Sequence, residues 1–170
     1  MNLINYNIRT EVRNSDVADV REIVRSTGFF REDEIQIAVE LVQERLDKGI
    51  ASGYEFVFAD VNGTPVSYTC YGLIPCSLIS YDLYWIVTHQ DYRGQGIGKR
   101  ILSETESLIA KAGGKTVYVE TSSKEKYKPT CAFYNGNNYI LKAQFEDFYD
   151  VGDDKLVFIK DVSFKALNKK

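Results

Sequence analysis

The stretch from Asp82 to Leu102 constrains the fold most strongly, because its hydrophobic pattern changes twice over a short distance. Its first part is apolar, aromatic and β-branched up to Thr88, which predicts a strand. A polar loop with glycines at alternate positions follows, and an amphipathic helix begins directly after it. This order brings backbone N–H groups to the positive end of a helix dipole, where no side chain obstructs an anion. The stretch therefore predicts an anion-binding site.

The charges at the start of this helix support the same prediction. Helix N-termini normally carry acidic residues, and the two earlier predicted helices follow that rule. Here Arg93, Lys99 and Arg100 add positive charge to a positive helix end. Because this arrangement is unfavourable without a counter-charge, we expect an anionic ligand.

The length of 170 residues allows one sizeable core and is too short for two ordinary domains. We therefore expect a single domain over 1–170, with a core at about 6–163. The composition is that of a globular protein, and no stretch reaches the apolar length of a membrane span. The N-terminus lacks a basic region followed by an apolar core, which argues against a signal peptide. We expect a cytoplasmic protein that does not bind membranes.

Cysteine content and net charge argue against several other classes. The three cysteines form no C-x-x-C pair, so neither a disulfide framework nor a zinc site is expected, and no metal is predicted. A net charge of −3 gives no concentrated basic surface. Lys169 and Lys170 are too few to supply one, so we expect no nucleic-acid partner.

Hydrophobic periodicity predicts an α+β chain with the element order β-α-α-β-β-β-α-β-α-β-β. Asn62 and Gly63 predict a tight hairpin turn between the second and third strands. The helices are expected after Asn14, from Glu32 to about Gly49, from Ile97 to Gly113, and from Pro129. The predicted strands cover residues 8–12, 54–61, 65–73, 81–88, 116–121, 140–147 and 156–162.

Two motifs carry a resemblance to a known family. Residues 93–98 match the [Q/R]-x-x-G-x-[G/A] signature of the GCN5-related N-acetyltransferases (GNAT), and residues 133–139 are similar to that family's F-Y-x-x-x-G-[FY] segment. The resemblance implies a single-domain GNAT fold, with a mixed, mostly antiparallel twisted sheet flanked by helices. Asn138 replaces a family glycine, but Asn tolerates the left-handed conformation, so we expect the turn to be retained.

The resemblance implies acetyl-coenzyme A as cosubstrate. Main-chain groups of Ile86, Val87 and Thr88 would pair with the pantetheine arm as an added strand does. Gln90 replaces a family proline that only stiffens the turn, so binding should be retained. The loop residues that would hold the pyrophosphate are Arg93, Gly94, Gln95, Gly96, Ile97, Gly98 and Lys99.

Acetyl transfer to an amine requires a group that takes up a proton, because an ammonium has no lone pair. Glu120 is the first candidate, since a carboxylate buried on an otherwise apolar strand is costly without a partner. A structural ion pair with Lys124 or Lys126 is the alternative. Asp82, on the strand that enters the loop, is the second candidate, with a solvated strand end as its alternative. Either acid can act through water.

Tyr134 matches the position of a family tyrosine that protonates the departing thiolate. A phenol can do so if its environment helps, and packing beside Phe133 is the alternative. Cys131 and His89, the single histidine, are not assigned to catalysis. Direct transfer needs no covalent enzyme intermediate.

The acceptor site is expected at the last connection of the chain, over residues 148–154. Tyr149 and Asp153 belong to an acidic and aromatic group that suits an ammonium, although a solvated turn explains the same acids. Phe30, which can equally be core, and Tyr84 are further candidates for substrate binding.

These patterns predict an N-acetyltransferase, monomeric or homodimeric, that moves acetyl directly from acetyl-coenzyme A to a small-molecule or peptide amine. The final hairpin resembles that of amino-terminal acetyltransferases, so a free amino acid or peptide N-terminus ranks first. A non-catalytic acyl-coenzyme A sensor on the same fold is one alternative. A module for ATP or NAD is another, although the glycine spacing fits neither nucleotide fingerprint.

Overall fold

The computed structural model describes residues 5–163, so Lys169 and Lys170 lie outside the described residues. Within this range no helix is long and apolar enough to cross a membrane. The helices are α1 (Asp16–Ser26), α2 (Glu32–Lys48), α3 (Ile97–Lys111) and α4 (Lys128–Gly136). The strands are β1 (Asn7–Arg9), β2 (Glu55–Val61), β3 (Thr64–Leu73), β4 (Ser80–Thr88), β5 (Thr116–Ser122), β6 (Ile140–Asp150) and β7 (Asp153–Asp161).

The seven strands follow the order β1-β2-β3-β4-β5-β7-β6 in one sheet. β4 pairs with β5 in parallel, whereas β1 with β2, β2 with β3, β5 with β7, and β6 with β7 pair antiparallel. The predicted element order and the mixed, mostly antiparallel sheet are confirmed.

The internal contacts group the chain into two compact units, which are described in turn. Unit 1 runs up to Gly72 and includes Trp85–Thr105; unit 2 is Leu73–Tyr84 and the chain from Glu106.

Unit 1 has a core in which the apolar faces of α1 and α2 pack with side chains of β2 and β3. The predicted turn is present, with positive φ at Asn62 and Gly63. The C-cap of α2 is Gly49, also at positive φ. The buried core residues come mainly from the two helices and two strands: Val20, Ile23, Val24, Ile35, Ala38, Val42, Phe56, Phe58, Tyr68 and Cys70.

Unit 2 is built on the parallel pair β4–β5 and the antiparallel strands β7 and β6. Because side chains alternate along a strand, Val119 of β5 and its partner Phe158 of β7 share one face. Helices pack on that face. The ring of Tyr134 in α4 lies 5.9 Å from that of Phe158, and Glu106 in α3 pairs with Lys160 at 2.6 Å. Residues on the opposite face of β5 therefore point away from these helices.

The β6–β7 hairpin is longer than the sequence predicts. β6 continues to Asp150 and β7 begins at Asp153, so the predicted connection over residues 148–154 is wrong. Side-chain hydrogen bonds stabilise this end of the hairpin: Asp147 accepts from the N–H of Gly152 at 2.7 Å, and Asp154 accepts from the N–H of Asp147 at 3.0 Å. These bonds offset the low strand propensity of Asp and Gly.

Candidate active site

The glycine loop adopts the conformation that its sequence requires. Gly94 and Gly96 have φ values of 74° and 80°, a region that other residues rarely adopt. Gly98 lies in the first turn of α3. Two of the glycines therefore shape the turn, whereas the third keeps the helix surface clear of a side chain.

Side chains of the loop hold its entry in place. The N–H of Gln90 donates to Ser26 Oγ at 3.0 Å, and Gln90 Oε1 accepts from Arg93 at 3.2 Å. Gln95 donates to the carbonyl of Asp91 at 3.3 Å. A proline at position 90 lacks both the N–H and the side-chain amide, so hydrogen bonds stabilise this turn where the family uses a rigid ring.

The start of α3 presents hydrogen-bond donors and positive charge. The N–H of Arg100 donates to the carbonyl of Gly96 at 3.1 Å, which is the first intrahelical bond. By helix geometry, the N–H groups of Ile97, Gly98 and Lys99 precede that bond. The first turn of α3 carries no acidic residue, whereas α1 and α2 both begin with acids. The loop therefore fits the diphosphate of coenzyme A in conformation and in charge.

The end of β4 leads into this loop. Val87 is buried, and its carbonyl accepts from Ser67 Oγ at 3.0 Å, while Thr88 Oγ1 lies 2.7 Å from the same hydroxyl. Ile86 is half-buried beside Val87. A main-chain pairing of residues 86–88 with the pantetheine arm stays a prediction.

A cavity of about 450 Å³ also lies within unit 1, next to the start of the loop. Asp19, Glu22 and Asp91 are among its lining residues, and burial, followed by the charge of Asp16, raises the pKa of Asp19. His89 lines it as well, and its Nδ1 accepts from the N–H of Asp91 at 3.2 Å. An acidic lining disfavours a diphosphate.

Two carboxylates share the side of the β4–β5 pair in unit 2 that faces away from Tyr134 and Phe158. Asp82 pairs with Tyr118, and Glu120 points to the same side as Tyr118 because strand side chains alternate. Asp82 is half-buried. Burial first, and the charge of Glu120 second, raise the pKa of the Asp82 carboxyl. The charge of one candidate base therefore acts on the other.

The expectation that Glu120 is buried is wrong, since 52% of its side chain is exposed. Its Oε1 lies 3.3 Å from the ammonium of Lys155, which is only 15% exposed. The sequence suggested Lys124 or Lys126 as the partner, but Lys124 pairs with Asp153 instead. Lys155 belongs to a strand far along the chain, and only the register of β5 and β7 brings it to Glu120.

Tyr134 is buried on the opposite side of this sheet. It belongs to an aromatic cluster in which its ring lies 5.6 Å from Phe133, 5.5 Å from Tyr139 and 5.9 Å from Phe158. Burial first, and Cys131 second, raise the pKa of its phenol. The phenol therefore keeps its proton at neutral pH and can donate a hydrogen bond. Packing and donation are compatible roles for one side chain.

The hairpin places the predicted acceptor residues in different surroundings. Tyr149 is 47% exposed, and the pKa of its phenol is raised by burial and then by Glu120. Asp153 is buried, accepts from the hydroxyl of Ser122 and pairs with Lys124 at 3.3 Å. Tyr149 is therefore available to a ligand, whereas the carboxylate of Asp153 is engaged within unit 2.

The remaining predicted acceptor residues differ in burial. Phe30 packs against the core of unit 1, with its ring 5.2 Å from that of Trp85. Tyr84 is 38% exposed on β4. The structure thus gives Phe30 a packing role that its sequence position also allowed.

The sequence prediction missed Lys155. Its ammonium lies 3.9 Å from the ring centroid of Phe148 and 5.3 Å from that of Phe145, in addition to its contact with Glu120. Strand alternation could indicate which side chains within residues 155–161 share a face, but not which residues of another strand they contact. The sequence pattern thus predicts the face on which Lys155 lies, but not the residues of neighbouring strands that it contacts.

Comparisons with known proteins concern the domain and the fold. The profile of the acetyltransferase (GNAT) domain matches residues 52–141, more than half of the chain. The structure of a GNAT-family protein from Desulfovibrio desulfuricans is 38% identical, with a TM-score of 0.92, and the similarity covers 94% of this chain and 100% of that chain. No match was found among curated protein sequences.

More distant structures share the fold. An aminoglycoside 6'-N-acetyltransferase in complex with coenzyme A is 17% identical, with a TM-score of 0.73, over 92% of this chain and 97% of that chain. The ribosomal-protein-S18-alanine N-acetyltransferase from Escherichia coli is 16% identical, with a TM-score of 0.72, over 98% and 99%. The glycine loop, the fold and the domain match lead to one assignment: the chain belongs to the GNAT family of acetyl-coenzyme A-dependent acetyltransferases.

Proposed function

We propose that this protein transfers acetyl from acetyl-coenzyme A directly to a primary amine of a free amino acid or a peptide N-terminus. The observation that carries the proposal is the distribution of side chains in unit 2. Two carboxylates, Asp82 and Glu120, lie on one side of the sheet, and the phenol of Tyr134 lies on the other. A base for the acceptor and a donor for the leaving group thus come from the two sides of the sheet. Both could reach one thioester beyond Asp82 and Tyr118, where the pairing of β4 with β5 ends.

The cosubstrate supplies an acetyl thioester with a thiol leaving group. Its diphosphate would be held by the main chain of Gly96–Gly98 and by Arg93 and Lys99, whose charges suit it. The pantetheine arm would pair with Ile86–Thr88 as an added strand.

The half-buried position of Asp82 and the ion pair of Glu120 support Asp82 as the first candidate for the base, the reverse of the order that the sequence favoured. A carboxylate with a raised pKa is a stronger base, and one that is ion-paired is already engaged. In this proposal Asp82 takes the proton that the acceptor ammonium loses. Glu120 then acts through its charge on Asp82.

The neutral amine then forms the N–C bond to the acetyl carbon as the C–S bond breaks. The nitrogen loses its second proton and the sulfur takes up one, while Tyr134 would donate a hydrogen bond to that sulfur. The raised pKa of the phenol favours hydrogen-bond stabilisation over early proton release. Tyr149 and Tyr84 offer half-exposed rings for the acceptor side chain. Since Asp153 is engaged, we assign it to the stability of the hairpin and not to the acceptor.

The proposal is tested by measuring thiol release from acetyl-coenzyme A over a panel of amino acids and short peptides. The Asp82→Asn variant should lower kcat by about 100-fold or more, since it removes the base, and Glu120→Gln by less than about tenfold. Tyr134→Phe should lower kcat by about tenfold. Glu125→Gln, at an exposed acid paired with Lys128, is the matched control and should leave kcat unchanged.

Two outcomes would contradict the proposal in different ways. Tight binding of acetyl-coenzyme A without turnover of any amine would indicate the non-catalytic sensor. Full activity of Asp82→Asn combined with loss of activity in Glu120→Gln would show that Glu120 is the base.

A further inference from the structure

Lys155 has the surroundings of a residue that tunes charge at the proposed acceptor site. Its ammonium contacts one carboxylate oxygen of Glu120 at 3.3 Å and lies over the rings of Phe148 and Phe145. A carboxylate and aromatic faces are the groups that stabilise an ammonium in a protein. Because Lys155 is 15% exposed, whereas Glu120 is 52% exposed, the cation is fixed beneath a carboxylate that faces solvent.

We call the side of unit 2 that carries Asp82, Tyr118, Glu120, Phe145 and Lys155 the acidic face. Strand register places these side chains together: Asp82 pairs with Tyr118, and Phe145 pairs with Lys155. Its charges are two carboxylates and one ammonium, which leave one net negative charge.

Four other acids of the hairpin accept hydrogen bonds or form an ion pair. Asp147 accepts from the N–H of Gly152, Asp150 from that of Val151, and Asp153 pairs with Lys124. Asp154 accepts hydrogen bonds from Gln144 and from the N–H of Asp147. These bonds position the four carboxylates, and within the described residues only Asp153 of the four is paired with a cation. Within the acidic face as defined, the charged groups are Asp82, Glu120 and Lys155.

We propose that Lys155 is a specificity-determining residue, which offsets Glu120 so that the acidic face selects acceptors with a single ammonium over diamines and polyamines. This inference rests on the proposed function and names the acceptor class of that site. One ammonium neutralises the face. A second would leave a net positive charge and meet the cation of Lys155, and this repulsion costs free energy.

The test compares two acceptors that differ by one ammonium at similar length, norleucinamide and lysinamide. The measured quantity is the ratio of their kcat/KM values, taken from thiol release at low ionic strength, where charge interactions are least screened. The wild type should prefer norleucinamide. Lys155→Met, which retains an apolar side chain of similar length, should shift the ratio about three- to tenfold toward lysinamide.

Three further variants make the result specific to charge. Glu120→Gln leaves Asp82 and Lys155 opposed and should shift the ratio the other way, toward norleucinamide. The double variant Glu120→Gln/Lys155→Met restores one net negative charge and should return the ratio to the wild-type value. Lys155→Arg keeps the cation and should also retain the wild-type ratio. A thermal unfolding curve of each variant reports whether it is folded.

A merely structural role for Lys155 predicts equal losses with both acceptors and no recovery in the double variant, and that result would overturn the inference. An unchanged ratio in Lys155→Met, or the same shift in Lys155→Arg, would also overturn it. Absence of thiol release by the wild type with every amine would instead refute the proposed function, and the inference with it.

Discussion

At the scale of single residues, the most informative side chain is Asp82, because two causes raise the pKa of its carboxyl. Burial disfavours its charged form, and so does the negative charge of Glu120. A base works only when it is deprotonated. In a profile of kcat against pH, the acid limb should therefore lie at a higher pH than it would for an aspartate with an ordinary pKa.

This dependence predicts the direction of a shift. Glu120→Gln removes a negative charge and leaves the cation of Lys155 without its partner, and both changes stabilise the Asp82 carboxylate. The pKa of Asp82 should fall, so the acid limb of kcat should move to lower pH. A profile measured with a saturating acceptor checks this; a limb that moves to higher pH would exclude Asp82 as the titrating base.

The residue scale also shows what the sequence alone could predict. The identities of Asp82, Glu120 and Tyr134 as candidates came from motif and strand position. Their surroundings did not, because burial and ion pairs depend on which strands lie side by side. The apolar strand predicts that Glu120 is buried, yet its side chain is 52% exposed and pairs with Lys155, 35 positions away.

At the scale of elements, the connection from α3 to β5 is tightly packed around one glycine. Gly114 follows the predicted helix end, and its N–H donates to the carbonyl of Ile109 at 2.8 Å. A Cβ at this position would lie 2.4 Å from Ile109 Cγ2, 2.8 Å from Tyr81 Cε2 and 2.9 Å from the Ile109 carbonyl oxygen. There is no room for a methyl group between a buried side chain and this backbone.

Gly114→Ala should therefore lower the free energy of unfolding by about 1–3 kcal/mol, a typical cost of overpacking. Chemical denaturation measures it. Gly136→Ala is the control, because a Cβ there meets no atom within 4 Å and its φ is not positive, so it should be neutral or slightly stabilising. Equal stability of the wild type and Gly114→Ala would show that the segment adjusts freely.

Elements differ in how far they could be predicted. The glycine loop and its helix were predicted because their conformation depends on neighbouring residues, and Asn138 adopts the expected positive φ of 66°. The end of the β6–β7 hairpin was not predicted, since side-chain hydrogen bonds across the turn outweigh local propensity. The ion cluster in which Arg9 pairs with Asp16 and Asp60 was not predicted either, because its members meet only after β1 pairs with β2.

At the scale of the whole molecule, the fold followed from few signals, because one motif fixes a strand, a loop and a helix and the remaining elements fit that order. The acceptor did not follow, since the site that we propose for it takes side chains from β4, β5, β6 and β7, whose register the sequence does not show. The central claim is that the start of α3 binds the diphosphate of acetyl-coenzyme A.

Calorimetric titration of the protein with acetyl-coenzyme A tests that claim most directly, with two variants that each remove one exposed cation from α3. Lys99→Gln, in the first turn, should weaken binding by about three- to tenfold, because it removes a charge beside the diphosphate. Lys111→Gln, in the last turn, should bind like the wild type. Absence of binding heat with the wild type, or equal affinities for all three proteins, would contradict the account.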